Sequence, residues 1–241
     1  MSQYVVGDIH GGLLGLKNVL DKVPFTKDDQ FIFLGDYVDG WSDAAATIDF
    51  LIAFAKRQPC IFLKGNHDEL LQKYLENNDA NPMWLASGGA TTMQNYTSKS
   101  AKDKQEHLAF LHGLQNYYID QDNKLYVHAG FTNQHGPAHE YYPNLVYWDR
   151  TLWEMVCAMD SAIQKGSLNY PKRLALFEEI YIGHTPTTKL NSTLPLQRAN
   201  VWNIDTGAAF KGPLTVMNTE SKAYWQSEPL YSLYPDESGR N

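Results

Sequence analysis

Eight residues that can bind a metal ion or move a proton stand at or just after the ends of short apolar runs in this sequence. They are Asp8, His10, Asp36, Asn66, His67, His128, His184 and Asp205. The apolar run 31–34, followed by Gly35 and Asp36, is the central example. Such a run predicts a buried strand that delivers the carboxylate to its carboxyl end, where open α/β sheets place their ligands. We therefore expect Asp36 to lie at the centre of a site.

Six of these residues form a ligand set of nitrogen and oxygen donors without a thiolate: Asp8, His10, Asp36, Asn66, His128 and His184. Such a set suits manganese, iron or zinc rather than a soft metal. It is too large for one catalytic ion, which usually keeps an open position. The set therefore predicts two ions that share one carboxylate, and Asp36 is the expected bridge.

Two ions about 3.5–4 Å apart can hold a hydroxide between them and stabilise both the attacking and the leaving oxygen of an in-line displacement. Hydrolysis of a phosphate ester is the reaction that this geometry serves best. The leaving alkoxide needs a proton, and His67, adjacent to Asn66 but in excess of the ligand set, is the candidate general acid. Asp39 is the candidate carboxylate that orients His67.

The spacing of the motifs indicates how the chain brings them together. Asp8 and Asp36 are 28 positions apart, and Asp36 and Asn66 are 30 apart. Both intervals are close to the length of a βαβ unit, about 30 residues. The first three strands are therefore predicted to be parallel.

Other elements follow from periodicity. Apolar residues recur at helical spacing over 13–20 and 44–55, and 68–77 is predicted to be a third helix. Residues 78–122 are predicted to form a mostly helical insertion over the sheet. Further strands are predicted at 124–130, 179–184 and 201–207, antiparallel strands near 214–217 and 223–225, and a frayed tail at 235–241.

Composition narrows the class of protein. The net charge of −7 and the absence of a Lys/Arg cluster predict no nucleic-acid partner. No apolar run approaches about 18 residues, so no membrane span is predicted. The two cysteines are too few for a disulfide framework, and no secretory signal is seen at the start, so a cytoplasmic location is expected. At 241 residues the chain is predicted to be a single domain, 1–241, and the sequence does not fix its oligomeric state.

Five motifs together resemble the calcineurin-like metallophosphoesterases, and most closely the phosphoprotein phosphatase type with its small bacterial and phage members. The motifs begin at Gly7 (GDIHG), Gly35 (GDYVD), Gly65 (GNHD), His128 (HAG) and Gly183 (GHT). The resemblance implies a mixed α/β fold, a β-sandwich of two mixed sheets flanked by helices. This corrects the simple parallel sheet that local spacing alone would give.

The resemblance also implies roles for individual residues. Asp8, His10 and Asp36 would hold one metal, and the second would be held by Asp36, Asn66, His128 and His184. His67 paired with Asp39 would be the acid. Arg150 resembles a phosphate-binding arginine of the bacterial members, and Asn66 would also contact the phosphate. Manganese is the favoured metal, ahead of iron or zinc.

Two departures from the family pattern stand out. Where the family usually continues the Asp36 motif with Arg-Gly, this chain has Gly40-Trp41, so one guanidinium that grips phosphate is absent. Lys64 or Arg198 are candidates to replace it. Asp68 stands where protein phosphatases usually have glutamate, which loosens the assignment to that subfamily.

Three functions are compatible with these residues. The leading expectation is a metal-dependent serine/threonine protein phosphatase that acts on phosphorylated proteins. The alternative is a hydrolase of dinucleoside polyphosphates of the bis(5'-nucleosyl)-tetraphosphatase type. A non-catalytic scaffold predicts a degraded ligand set, whereas all six ligands and His67 are present.

Overall fold

The structure, a computed structural model, describes residues 1–240. Its strands are β1 (Gln3–Val6), β2 (Gln30–Phe33), β3 (Cys60–Phe62), β4 (Tyr117–Ile119), β5 (Lys124–Val127), β6 (Glu179–Ile182), β7 (Leu196–Arg198), β8 (Val201–Asn203), β9 (Thr215–Asn218) and β10 (Tyr224–Gln226). Its α-helices are α1 (Leu13–Leu20), α2 (Ala44–Ala55), α3 (Asn66–Asn77), α4 (Pro82–Trp84), α5 (Ala90–Thr97), α6 (Ala101–His112), α7 (Thr151–Ala158), α8 (Lys172–Ala175) and α9 (Leu230–Leu233).

The first sheet has the order β10-β9-β1-β2-β3. Strand β1 is parallel to β2, and β2 is parallel to β3, as the spacing of the motifs predicts. Strands β9 and β10 continue the sheet on the other side of β1 as an antiparallel pair, which confirms the meander expected near the end of the sequence.

The second sheet has the order β4-β5-β6-β8-β7. Strands β5, β6 and β8 are parallel, whereas β4 and β7 are antiparallel edge strands. The expected pair of mixed sheets is therefore confirmed. Strand β4 lies inside 78–122, so that segment is helical only as far as His112 and then joins the second sheet.

The two sheets pack face to face through apolar side chains of their central strands. Val5 and Ile32 of the first sheet meet Tyr126 and Tyr181 of the second in one buried cluster. The rings of Tyr126 and Tyr181 stack with their centroids 5.0 Å apart. These alternate residues face the partner sheet because side chains of a strand point to opposite faces in turn.

The opposite face of the first sheet is covered by helices α1 and α2 and by the insertion. Leu16, Ile48 and Phe31 belong to the large cluster on this side, as does Trp84 of the insertion. None of the helices in residues 1–240 is long and apolar enough to cross a bilayer.

Residues 235–240 are anchored, in contrast to the frayed tail expected from the sequence. Both carboxylate oxygens of Glu237 accept hydrogen bonds from Ser42, one from its hydroxyl (2.6 Å) and one from its amide (2.9 Å). The amide of Arg240 donates to the carbonyl of Ala209 (2.8 Å). The remaining residue of that prediction, Asn241, lies outside the described residues.

Candidate metal centre and active site

The loops that follow β1, β2, β3, β5 and β6 meet at one edge of the sandwich, because the parallel strands all run toward it. The six predicted ligands lie in these loops or at the start of α3, and all of them are buried: Asp8, His10, Asp36, Asn66, His128 and His184. Potential ligand atoms form two groups, one of His10, Asp36 and His67 and one of Asp36, His128 and His184. Each group could hold a metal ion, and Asp36 belongs to both.

One carboxylate oxygen of Asp36 lies between two imidazoles. Its Oδ2 is 3.5 Å from Nε2 of His10 and 3.4 Å from Nε2 of His128. The other oxygen, Oδ1, accepts the backbone N–H of His67 (3.0 Å). This hydrogen bond fixes the carboxylate, so that Oδ2 faces both groups of donors at once.

The hydrogen bonds of two histidines define which nitrogen is available to a metal. Nδ1 of His10 lies 2.8 Å from the carbonyl of Asp39, and Nδ1 of His128 lies 2.8 Å from the carbonyl of Leu34. A carbonyl only accepts, so both Nδ1 atoms carry a proton and Nε2 is the nitrogen that each ring directs at the cluster, where a metal ion would bind it in place of a proton. Nε2 of His128 is buried and has no hydrogen-bond partner among the described residues.

The remaining ligand candidates also fit a metal ion. Nδ1 of His184 lies 2.9 Å from Oδ1 of Asn66. This is a hydrogen-bond distance, and it is also the separation of two ligands that meet at right angles on one ion at about 2.1 Å. Asp8 accepts the amide of His184 (3.1 Å), and its Oδ2 lies 3.7 Å from Nε2 of His10.

The buried charges of the site are unbalanced without cations. Burial and the nearby charge of Asp36 raise the pKa of Asp68 to about 7, and burial and the charge of Asp8 raise the pKa of Asp205 to about 7. Burial disfavours the charge of Asp36, yet the imidazoles of His128, His67 and His10 together hold the pKa of that carboxyl well below its usual range. Burial and repulsion between neighbouring carboxylates both disfavour the charged acids, and bound cations would offset this cost.

Two imidazoles respond to these charges in opposite directions. Burial disfavours protonation of His128, but the carboxylates of Asp36, Asp8 and Asp68 together raise the pKa of His128 to about 9. Burial and the proximity of His128 hold the pKa of His184 well below its usual range, so His184 is neutral and able to bind a metal.

The backbone is strained where it presents these side chains. His10, Asp36, Asp39 and His184 have φ angles of 53°, 55°, 70° and 67°, in the left-handed region. Such conformations cost about 1–3 kcal/mol each and persist where the surrounding structure enforces them. Close packing adds a second constraint, because a Cβ on Gly183 would overlap Oδ1 of Asp8.

His67 is held by a buried carboxylate, as the sequence predicts. Its Nδ1 lies 2.6 Å from Oδ2 of Asp39, which has no exposed surface. The same oxygen accepts the indole N–H of Trp84 (2.6 Å), and the amide of Asp39 donates to the hydroxyl of Thr92 (3.0 Å). Trp84 and Thr92 both belong to the insertion, which therefore supports the candidate acid.

A cavity of about 410 Å³ opens over the cluster. Its lining combines metal-site residues with cations and aromatic rings: Asp36, Asn66, His67, Leu70, Lys73, Asn81, Met83, Trp84, Ser87, Trp148, Arg150, His184 and Arg240. Arg150 lies in this cavity, where its Nη1 donates to the hydroxyl of Thr185 (3.0 Å). Another cavity, of about 530 Å³, is lined by Arg198 and does not reach the cluster.

Several other residues lie away from the cavity. Neither Lys64, which donates to Gln72 (2.8 Å), nor Arg198 lines the cavity over the metal site. Neither is therefore placed to replace the guanidinium missing at residue 40. Tyr37 and Trp41 are fully buried core residues rather than rings that face a substrate.

Trp84 and Arg240 are among the cavity residues that sequence reasoning missed. The Asn81-Pro82 pair does mark the start of a helix, since Asn81 caps it by accepting the amide of Met83 (2.8 Å). The contact of Trp84 with Asp39 depends on tertiary packing and has no local signal. For Arg240, the signal in the sequence was the missing arginine at position 40, which pointed to a cation from elsewhere in the chain.

Comparison with known proteins identifies the family. Residues 1–188 match the family described as calcineurin-like phosphoesterase. The chain is 25% identical over 229 residues to the bis(5'-nucleosyl)-tetraphosphatase PrpE [asymmetrical] of Anoxybacillus flavithermus, covering 88% of each chain. It is 42% identical over 66 residues to the serine/threonine-protein phosphatase PP1-delta of Caenorhabditis elegans, covering 27% of this chain and 22% of that protein.

Among solved structures, one described as a putative diadenosine tetraphosphatase superposes with a TM-score of 0.63 at 18% identity, covering 93% of this chain and 91% of the other. This likeness concerns the fold, and it agrees with the two mixed sheets described above. The family match extends from before Asp8 to beyond His184 and so includes both groups of metal-binding side chains. The chain therefore belongs to the calcineurin-like phosphoesterase family of metal-dependent hydrolases.

Proposed function

We propose that this site hydrolyses phosphate esters with two divalent metal ions. Asp8, His10 and Asp36 would hold one ion, and Asp36 with Asn66, His128 and His184 would hold the other. The observation that carries the proposal is the position of Asp36 Oδ2 between the Nε2 atoms of His10 and His128. The donors, imidazole and oxygen ligands without sulfur, suit manganese, iron or zinc, and manganese is the metal that the family resemblance favours.

Bound divalent ions would supply Lewis acidity toward the phosphate and the activation of a water molecule. The chain itself supplies the proton for the leaving group. Nδ1 of His67 is engaged by Asp39, so Nε2 is the nitrogen that donates. Asp39 stabilises the protonated imidazole and keeps its ring oriented, while Trp84 fixes the carboxylate.

Two side chains bind the phosphate. Arg150 extends a guanidinium into the cavity, and Asn66 lies on its floor. A guanidinium can donate two parallel hydrogen bonds to phosphate oxygens, and it retains its charge at any physiological pH.

Dinucleoside polyphosphates are the substrate class that we propose first. The relative that matches this chain along 88% of both sequences is a bis(5'-nucleosyl)-tetraphosphatase, whereas the match to the protein phosphatase covers 27% of this chain. The cavity also combines Lys73, Arg150 and Arg240 with the ring of Trp148, which is 39% exposed. Several cations and an aromatic face suit a chain of phosphates attached to a base.

Phosphoserine and phosphothreonine in proteins are the second candidate. The 42% identity to PP1-delta, although limited to 66 residues, supports this class, and it is the one that the sequence motifs favoured. A phosphorylated side chain requires only one phosphate site, which Arg150 and Asn66 provide.

A substrate panel separates the two classes. Manganese-loaded protein is assayed against diadenosine tetraphosphate and against phosphoserine and phosphothreonine peptides, with kcat/KM measured for each. The first proposal expects a clear preference for the nucleotide. A preference for the peptides would make phosphoproteins the first candidate. If the protein hydrolyses neither these compounds nor an aryl phosphate, the proposal of phosphoester hydrolysis is rejected.

A further inference from the structure

Arg240 joins the lining of the cavity over the metal site from a distant part of the sequence. It lines the same cavity as Arg150, His67 and Asn66. Neither the motifs nor the family match, which ends at residue 188, includes this arginine. It is half-buried, and its Nε is enclosed without a hydrogen-bond partner among residues 1–240.

The stem of Arg240 lies against residue 40, where the family pattern would place its arginine. A Cβ built on Gly40 would be 3.4 Å from Cγ of Arg240. A Cβ on Gly88, across the insertion, would be 3.1 Å from the same carbon. The side chain of Arg240 therefore passes between two glycines, and the space beside residue 40 is filled by an arginine from residue 240.

The other substituted residue, Trp41, forms the support for this segment. Its indole N–H donates to the carbonyl of Ala208 (2.7 Å), and its ring stacks on Tyr234 with centroids 5.1 Å apart. Gly239 packs directly on the ring, since a Cβ there would lie 2.8 Å from Cζ2 of Trp41. Gly40 and Trp41 together thus make room for Arg240 and hold its backbone in place.

The guanidinium of Arg240 lies over an aromatic ring and has no carboxylate partner among residues 1–240. Its Cζ lies 5.5 Å from the centre of the Phe210 ring, and Arg240 and Phe210 also line a second cavity of about 430 Å³, so Arg240 stands between the two cavities. No carboxylate of residues 1–240 forms an ion pair with it. A guanidinium held on an aromatic ring beside a cavity is able to bind an anion at little further cost in side-chain order.

We propose that Arg240 binds the phosphate of the substrate together with Arg150 and so replaces the guanidinium that Gly40 lacks. This inference rests on the proposed function, because it assigns a phosphate ligand to the same cavity. The replacement comes from the far end of the described chain, where Gly239 packs on Trp41 and the amide of Arg240 donates to the carbonyl of Ala209.

Arg240→Gln and Arg57→Gln make a matched pair for the test. Arg57 also lies 5.5 Å above a phenylalanine ring, that of Phe54, but it is exposed and is absent from the cavity. Inorganic phosphate is titrated calorimetrically into each manganese-loaded protein, and kcat/KM is measured with 4-nitrophenyl phosphate. We expect Arg240→Gln to weaken phosphate binding about 10-fold and to lower kcat/KM about 10- to 100-fold, with Arg57→Gln like the wild type.

Two further measurements keep the outcome decisive. Thermal unfolding shows whether the Arg240→Gln protein remains folded. Arg240→Ala is also assayed with added guanidinium ion. Recovery of activity by the added ion is expected if Arg240 binds phosphate and is not expected if its role is purely structural. Phosphate binding and kcat/KM equal to those of the wild type in a folded Arg240→Gln protein would overturn the inference. If the wild type hydrolyses no phosphoester, the proposed function fails, while the phosphate titration still decides the role of Arg240.

Discussion

The carboxylate of Asp36 organises the site at the scale of single residues. Its Oδ2 faces an imidazole on each side, and its Oδ1 is fixed by the amide of His67. The backbone of Asp36 is in the left-handed region, with φ of 55°. The strain is offset by hydrogen bonds, since the carbonyl of Asp36 accepts the amides of Ile9 and His10 (3.0 and 2.9 Å).

His67→Asn tests the acid directly. Removing the proton donor should lower kcat for an alkyl phosphate by about 10²–10⁴-fold. An aryl phosphate should be affected less, because its leaving group needs no proton. Steady-state kinetics on both substrates provide the measurement, with His112→Asn, an exposed histidine on α6, as the control. Equal losses on the two substrates would show that His67 has another role.

At this scale the sequence predicted which residues are candidate metal ligands, but it did not predict the backbone conformation of those residues. Glycine followed by aspartate, asparagine or histidine after an apolar run marks strand ends that carry ligands, as at Asp8 and Asn66. The left-handed φ of His10 and His184 depends on contacts made across the fold, which no local pattern contains. The bond of Trp84 to Asp39 joins residues 45 positions apart and was missed for the same reason.

At the scale of elements, the insertion contributes hydrogen bonds to the candidate site as well as covering the first sheet. Helix α4 places Trp84 against Asp39, and α5 places Thr92 at the amide of the same residue. The indole ring is 1% exposed and lies in the main core cluster. Correct orientation of His67 therefore depends on the packing of a segment that follows the GNHD motif.

Trp84→Phe keeps the aromatic packing and removes the N–H donor to Asp39. Loss of a hydrogen bond to a buried carboxylate should reduce the free energy of unfolding by about 1.5–3 kcal/mol, and kcat should fall because Asp39 is less well held. Denaturant unfolding and kinetics are the measurements. Trp202→Phe is the matched control, since Nε1 of Trp202 has no hydrogen-bond partner among the described residues. The same small change in both variants would contradict the role of Trp84.

Asp68 links two of the motif loops. It accepts three backbone amides, those of Asp36 (2.8 Å), Tyr37 (2.9 Å) and Gly65 (2.8 Å), and is completely buried. An aspartate is long enough for this contact, so the departure from glutamate leaves the site intact. The carboxylate ties the loop after β2 to the start of α3.

Asp68→Ala should therefore destabilise the protein strongly. Three buried N–H groups would lose their acceptor, and each unsatisfied group costs about 1–3 kcal/mol, so we expect a loss of about 3 kcal/mol or more. Chemical denaturation of metal-free protein isolates this effect from metal binding. Asp79→Ala, at an exposed position beyond α3, is the control, and a loss below about 1 kcal/mol at Asp68 would contradict the linking role.

At the scale of the whole molecule, the sandwich places loops from both sheets at one edge. Asp8 and Asp36 come from the first sheet, and His128 and His184 come from the second. The parallel first sheet could be predicted from the spacing of the motifs. The edge strands β4 and β7 could not, because each has only three residues, too few to show an alternating pattern, although each pairs with the next strand across a short turn.

Metal content tests the central claim most directly. Purified protein is incubated with manganese, free metal is removed, and bound ions per chain are measured by elemental analysis for the wild type, Asp36→Asn and Asp122→Asn. The account predicts two ions in the wild type and in Asp122→Asn, which alters an exposed residue outside the cluster, and fewer than one in Asp36→Asn. A wild type that binds no ions, or an Asp36→Asn protein that retains both, would contradict it.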